Sequence, residues 1–186
     1  LLPFMDAAYH GFARDWDSDL LPVRRMADAC PEVLVSVSCS KNFGLYRDRI
    51  GAALVICETA PAATRAAGQL AELQKSFHAM AADHGAAVVR TILASAELKE
   101  EWRAELAEIQ QDIAGTRAAL ADGLEGRFAC GRFNHVRQQR GMFSRLHLSP
   151  AEITCLREDH AIYMLDDSRI NVAGLARALI AEFCEK

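Results

Sequence analysis

Two short apolar runs set the fold class of this chain. Val33-Leu34-Val35-Ser36-Val37-Ser38 is a short β-branched run of the kind that makes a buried strand, and Gly51-Ala52-Ala53-Leu54-Val55-Ile56-Cys57 reads as a second strand. Both lie among helical patterns. One from Leu20 to Ala29 is stopped by Pro31, and two more fall between Ala60 and Leu93, broken near Asp83-His84-Gly85. Strands alternating with helices predict an α/β fold. The longest helical pattern runs from Glu97 to Leu124, with Trp102, Leu106, Ile109, Ile113 and Leu120 at helical spacing. It reads as the bridge to a smaller second unit, with the boundary placed between residues 108 and 109.

Beyond Gly126 the elements shorten. Met142 to Leu148 alternates like a strand, and Ser149-Pro150-Ala151-Glu152 is a capping box that predicts a helix to about Arg157. Ile162 to Leu165, the turn Asp166-Asp167-Ser168 and Arg169 to Val172 look like a hairpin. A last amphipathic helix is expected from Leu175 to Phe183.

Composition excludes several classes. With 51% hydrophobic and 25% charged residues, the 186-residue chain has the balance of a protein with a real core rather than a disordered one. A net charge of -4 argues against a nucleic-acid partner, because such binding runs on neutralised phosphates. No apolar run approaches the roughly 20 residues of a membrane helix, so no membrane partner is expected. The six cysteines form no C-x-x-C pair and no zinc spacing, so no metal is expected. They read as small buried hydrophobes in a reducing cytoplasm. The opening, Leu1-Leu2-Pro3-Phe4-Met5-Asp6, has neither an initiator Met nor a signal-peptide pattern, and reads like the middle of a protein.

Among four lysines, Lys41 alone follows an apolar strand and sits in a loop between serines and a glycine. An amine partly withdrawn from water can stay neutral and form a Schiff base with an aldehyde. Ser38, Ser40 and Arg49 flank it with two hydroxyls and a guanidinium fork suited to a phosphate. Asp6 and Tyr9 form a polar pair in an apolar opening. A carboxylate that holds a ring nitrogen protonated and a phenol that binds a ring oxygen are what an aldehyde-bearing pyridine cofactor needs. The acid-free stretch Arg132 to Arg145 reads as a solvated strand face, with an anion-attracting rim as the other reading.

Three segments, in order, carry a resemblance. Ser38 to Gly51, S-C-S-K-N-F-G-L-Y-R-D-R-I-G, resembles the cofactor-lysine motif of the aspartate and aromatic amino-acid aminotransferases. Phe4 to Phe12 resembles that family's D-x-A-Y-x-G-F stretch, and Arg169-Ile170-Asn171-Val172-Ala173-Gly174 its R-[IV]-N-V-A-G. The resemblance implies the C-terminal portion of the fold of pyridoxal-phosphate-dependent transferases, with the end of the large-domain sheet over residues 1–108 and the small α/β domain over 109–186. It implies transfer of an amino group from an aromatic or dicarboxylic L-amino acid to a 2-oxo acid, with pyridoxal 5'-phosphate as cofactor. By position, Lys41 is similar to the lysine that condenses with the cofactor and moves the α-proton. Asp6 is similar to the aspartate on the pyridine nitrogen, Tyr9 to the tyrosine on the ring oxygen, and Ser38, Ser40 and Arg49 to the phosphate-binding set. Arg169 matches the arginine that takes the substrate carboxylate, and Phe143 an aromatic lining the substrate pocket. A cytoplasmic homodimer is expected of the intact protein.

The resemblance has two departures. The family's early glycine loop, its ring-stacking aromatic and its ring-oxygen asparagine have no counterpart here, so the chain is expected to be a truncated portion, inactive alone. The alternative is a non-catalytic dimerisation or cofactor-holding module. In the R-x-N-x-S-N-P-P-x-H-G stretch, anchored on His84-Gly85, the arginine that grips a dicarboxylate side chain falls on Lys75. An ammonium lacks the planar two-point grip, so a neutral or aromatic donor is expected.

Overall fold

A computed structural model describes residues 1–186. The chain divides into two compact units, residues 1–11 with 15–106, and residues 12–14 with 107–186.

The first unit is built on a three-stranded sheet in the order β1-β2-β3, with β1 Phe4–Ala7, β2 Glu32–Ser38 and β3 Gly51–Cys57. Between β1 and β2 lie α1, Trp16–Asp19, and α2, Leu21–Ala29. Asp15 caps α1, accepting from the backbone N–H groups of Asp17 and Ser18 at 3.0 and 2.8 Å. β1 runs parallel to β2, and β2 antiparallel to β3. The strand expected at Val33–Ser38 is buried on one face only. Val33 and Val35 are 0% and 4% exposed, while Leu34, Ser36 and Ser38 point to the other, half-open face. That alternation gives the sheet an apolar side for the core and a polar side on which chemistry can be mounted.

After β3 come α3, Ala60–His78, and α4, His84–Ala94. The break between them spans residues 79–83 and leaves His84 and Gly85 inside α4. Ala79 takes a positive φ of 54°, which ends α3 one turn before the expected point. α5, Ala96–Phe128, is longer than its apolar pattern predicted. Its buried residues Trp102 and Leu106 belong to the first unit; Ile113, Leu120, Ala121 and Leu124 belong to the second.

In the second unit, Leu120, Leu124, Phe133, Val136, Leu146, Ile180 and Cys184 form the core. α6, Asn134–Gln138, precedes β4, Phe143–Arg145, and the capping box at Ser149 and Glu152 starts α7, Pro150–His160. β4 stops short of the expected Leu148 because His147 turns the backbone at φ 57°. The expected hairpin does not form. Residues 162–165 are not a strand, and β5, Arg169–Asn171, pairs antiparallel with β4 instead. Ser168, at φ 58°, donates its N–H to the Leu165 carbonyl while its own carbonyl takes the Leu146 N–H, which turns the chain onto β4. The last helical stretch is two 3-10 turns followed by α8, Ile180–Glu185, rather than one helix. No helix is long and apolar enough to cross a membrane.

The cysteines depart from expectation as well. Only Cys184 is fully buried, and Cys130 and Cys155 are exposed. Cys155 lies on α7, whose one buried residue is Ile153, so the helix turns its thiol to solvent.

Candidate active site

β2 and β3 are joined by the loop 39–50, which carries Lys41. The Cys39 N–H donates to the Ile50 carbonyl at 2.9 Å, closing the base of the loop. Inside it, the Phe43 and Gly44 N–H groups bond the carbonyls of Cys39 and Lys41 at 3.3 and 3.2 Å. Ser40 and Asn42 on either side of the lysine are 4% and 6% exposed, so the loop is packed rather than splayed into water. Lys41 itself is half-buried. Its Nζ lies 4.7 Å from the ring centroid of Tyr9 and 5.6 Å from that of Tyr46, between two aromatic faces that attract a cation. Burial pushes the Cys39 thiol up, away from the reactive thiolate.

Asp6 sits on β1 as the register partner of Ser36 on β2, so the two share the open face of the sheet. Its Oδ1 accepts from the Ser36 hydroxyl at 3.2 Å and from the Ala8 N–H at 3.1 Å. Two residues farther along β2 the Ser38 hydroxyl donates to that of Ser40 at 3.0 Å, while the Ser40 N–H donates back to Ser38 at 3.1 Å. Arg49 is turned differently. At φ 55°, its Nη1 donates to the Tyr46 carbonyl at 3.0 Å, which folds the far end of the loop on itself. A carboxylate, two coupled hydroxyls, an amine and two phenols thus come from one sheet face, the loop 39–50 and the turn after β1 that carries Tyr9.

The loop is also tied from behind. The Trp102 indole N–H donates to the Asn42 carbonyl at 2.7 Å, and its ring stacks on Phe43 with centroids 4.4 Å apart and planes 9° from parallel. The Asn42 side-chain N–H donates to the His10 carbonyl at 3.3 Å, leaving its buried Oδ1 without a partner. His10, in turn, is a buried core residue whose Nε2 lies 2.6 Å from the Trp16 carbonyl. Gly11 bends at φ 95°, and a Cβ there would sit 2.6 Å from Leu106 Cδ2.

Arg169 and Phe143 occupy the second unit. Arg169 lies on β5 with its guanidinium carbon 5.3 Å from the centroid of Phe143 on β4, beside a cavity of about 660 Å³ that also takes in Tyr163, Leu165 and Asn171. Behind β4, the Arg117 guanidinium is 4% exposed. It donates to the Ser144 hydroxyl at 3.1 Å and to the carbonyls of Gly141 and Phe143, the latter at 3.3 Å. Burial, aided by the charge of Arg140, pulls this guanidinium below its ordinary range. The basic stretch 132–145 is neither a free rim nor a bare strand face. Arg132 pairs with Glu152 and Arg137 with Asp122, acids supplied by α7 and α5.

Ser36, Tyr46, Trp102 and Arg117 carry parts of this geometry that the motifs did not point to. Alternation along β2 was the signal for Ser36, which is two residues from Ser38 and so on the same face. Tyr46 lies within the lysine motif and Trp102 within the apolar spacing of α5, but what they and Arg117 touch is set by tertiary contacts that leave no local pattern.

A family model described as aminotransferase class I and II matches residues 1–186. A tyrosine aminotransferase of Rhizobium meliloti (strain 1021) is 46% identical over 186 residues, covering 100% of this chain and 47% of that protein. A solved aromatic amino acid aminotransferase with 3-indolebutyric acid superposes with a TM-score of 0.95 at 39% identity, covering 99% of this chain and 47% of that one. The aromatic-amino-acid aminotransferase of Burkholderia pseudomallei covalently bound to pyridoxal phosphate superposes with a TM-score of 0.93 at 36% identity, covering 100% and 46%. The chain therefore spans about half the length of the relatives it matches.

Proposed function

The chain belongs to the class I and II aminotransferases, and from that premise we propose that the protein carrying it transfers the amino group of an aromatic L-amino acid to a 2-oxo acid, using pyridoxal 5'-phosphate held at Lys41. The observation that carries this reading is the Lys41 amine, half-buried and 4.7 Å from the Tyr9 centroid, beside a sheet face bearing Asp6 and Ser38. These residues fit the cofactor's chemistry: an amine for its aldehyde, a carboxylate for its ring N–H, a phenol for its ring oxygen and hydroxyls for its phosphate. When bound, the cofactor supplies an electron sink for the electron pair released at the substrate α-carbon.

The residues of the chain do the rest. Lys41 Nζ would hold the cofactor through its aldehyde, and when free it would take and return the proton at the substrate α-carbon. Asp6 keeps the ring nitrogen protonated, held in place by the Ser36 hydroxyl and the Ala8 N–H. The Tyr9 hydroxyl binds the ring oxygen, and Ser38, Ser40 and Arg49 take the phosphate. Arg49 must exchange its bond to the Tyr46 carbonyl for one to the anion, a gain in charge-assisted pairing. Arg169 grips the α-carboxylate, with Phe143 against the guanidinium face. The two compact units correspond to the later part of a large cofactor-binding domain and to a small domain.

Lys75, exposed in the last turn of α3, supports an aromatic rather than a dicarboxylic donor, because an ammonium grips a carboxylate at one point and not two. The same helix exposes Leu73 and Phe77 by 52% and 76%, and Met80 just beyond its end by 89%, which supports a homodimer covering that surface. The intact protein loaded with pyridoxal phosphate is expected to show a visible band that borohydride bleaches, with the label found on Lys41 by peptide mass spectrometry. A Lys41→Ala variant that keeps the band and its activity would overturn the proposal. Turnover of phenylalanine or tyrosine should exceed that of aspartate in kcat/KM, and the reverse order would overturn the choice of donor.

A further inference from the structure

We propose that Trp102 is a positioning residue for Lys41, clamping the lysine loop onto α5 so that the amine stays over the Tyr9 ring. The role rests on the transaminase reading above, but the clamp itself is geometric.

The Lys41 side chain meets the Tyr9 and Tyr46 rings but makes no directional hydrogen bond, and it has four rotatable bonds. What locates the amine is therefore where its backbone is held. Immediately after Lys41, the Asn42 carbonyl receives the Trp102 indole N–H at 2.7 Å, and the next side chain, Phe43, lies flat on the same indole. One side chain thus holds two successive residues of the loop, by a directional bond and by a stacked face. Trp102 is itself 7% exposed and braced edge-on by Trp16, 4.8 Å away and 77° from parallel. The Asn42 side chain completes the clamp, because its N–H holds the carbonyl of His10, the residue after Tyr9. The loop that carries the amine and the loop that carries the phenol are therefore pinned to each other through Asn42. Displacing a reacting group by about 1 Å can slow its chemistry about a hundredfold, so a clamp on the lysine backbone has kinetic consequences.

Trp102→Phe keeps a ring to stack on Phe43 and removes the N–H, and the test compares it with Val33→Ala. Val33 is fully buried in β2, paired with Ile56 on the sheet face opposite Ser36 and Ser38, so its variant controls for lost stability. Three readouts are taken on the intact protein. Two need no cofactor: the acetylation rate of Lys41 by acetic anhydride, followed by peptide mass spectrometry, and hydrogen exchange of the Phe43 and Gly44 amides. The third is the rate of borohydride-trappable condensation of Lys41 with pyridoxal phosphate. In Trp102→Phe the two amides are expected to exchange about tenfold faster or more, the acetylation rate to change, and condensation to slow by about tenfold to a hundredfold. Val33→Ala should leave all three near the wild-type values at a comparable loss in Tm. The proposal is overturned if Trp102→Phe stays within about twofold of wild type in all three readouts, or if Val33→Ala shifts them equally. If wild type never condenses with the cofactor, the transaminase reading falls, while acetylation and exchange still decide the clamp. Should Trp102→Phe not fold, Phe43→Leu, which loses the stacked face and keeps the indole bond, is read by the same measures against the same limits.

Discussion

Replacing Arg117 by alanine is the sharpest test of how the second unit holds Phe143. The guanidinium is 4% exposed and has no carboxylate partner; its charge is dispersed onto the Ser144 hydroxyl and the carbonyls of Gly141 and Phe143. Alanine leaves all three acceptors without their donor, in a place where Ser144 is 2% exposed. An orphaned buried acceptor costs about 1–3 kcal/mol, and the void left by the side chain adds to this. Relief from burying a charge works the other way, since the guanidinium pays a desolvation penalty of several kcal/mol in the native state. Burial already pulls it below its ordinary range, in keeping with that penalty. The balance is a loss of about 3–4 kcal/mol, within the range for single substitutions that break a buried network. Arg117→Lys keeps the charge but cannot reach three acceptors from one ammonium, and should lose about 1–2 kcal/mol. Urea unfolding of the intact protein, followed by a probe in the second unit, gives both values at constant m. An Arg117→Ala protein within about 1 kcal/mol of wild type would show that the three acceptors find other donors, and the argument would fail.

Three further outcomes follow from particular contacts. Arg132, at 2.6 and 2.9 Å, together with the Ser149 N–H and hydroxyl, holds the Glu152 carboxyl down at about 2. Its folded value lies below the unfolded one of about 4.3, so its contribution is present above that pH and is lost as pH falls toward 2. Both side chains are about 40% exposed, so the contribution is below about 1 kcal/mol; unfolding at pH 6 and pH 2.5 should show Glu152→Gln less acid-sensitive than wild type, and identical slopes would refute it. Gly85→Ala in α4 gains about 1 kcal/mol of helix propensity. Its Cβ would nonetheless overlap Ile50 Cγ1 and lie 2.8 Å from Asp48 Cβ, so a net loss on the order of 1 kcal/mol is expected, and a rise in Tm would show that the loop yields. Lys75→Arg should raise kcat/KM for aspartate relative to phenylalanine by about tenfold, through a two-point grip on the side-chain carboxylate. An unchanged ratio would remove Lys75 from specificity.

Local rules were enough for much of this protein. Apolar runs bounded by turn residues located β2 and β3, and Ser149 with Glu152 marked the start of α7, because strand burial and helix capping are decided within a few residues. The motif around Lys41 was legible in the same way: a polar loop after an apolar strand has nowhere to go but the end of the sheet. Pairing is not local. Residues 162–165 and 169–172 alternate as a hairpin would, yet β5 bonds β4 from more than twenty positions upstream, because Ser168 turns the chain toward an open strand edge. Nor could spacing show that Trp102, one apolar position among many on α5, would bond the residue beside Lys41 across sixty positions. An apolar pattern states which face of a helix is buried; only the folded chain decides what that face touches, since the partner is chosen by packing and by the need of each buried carbonyl for a donor.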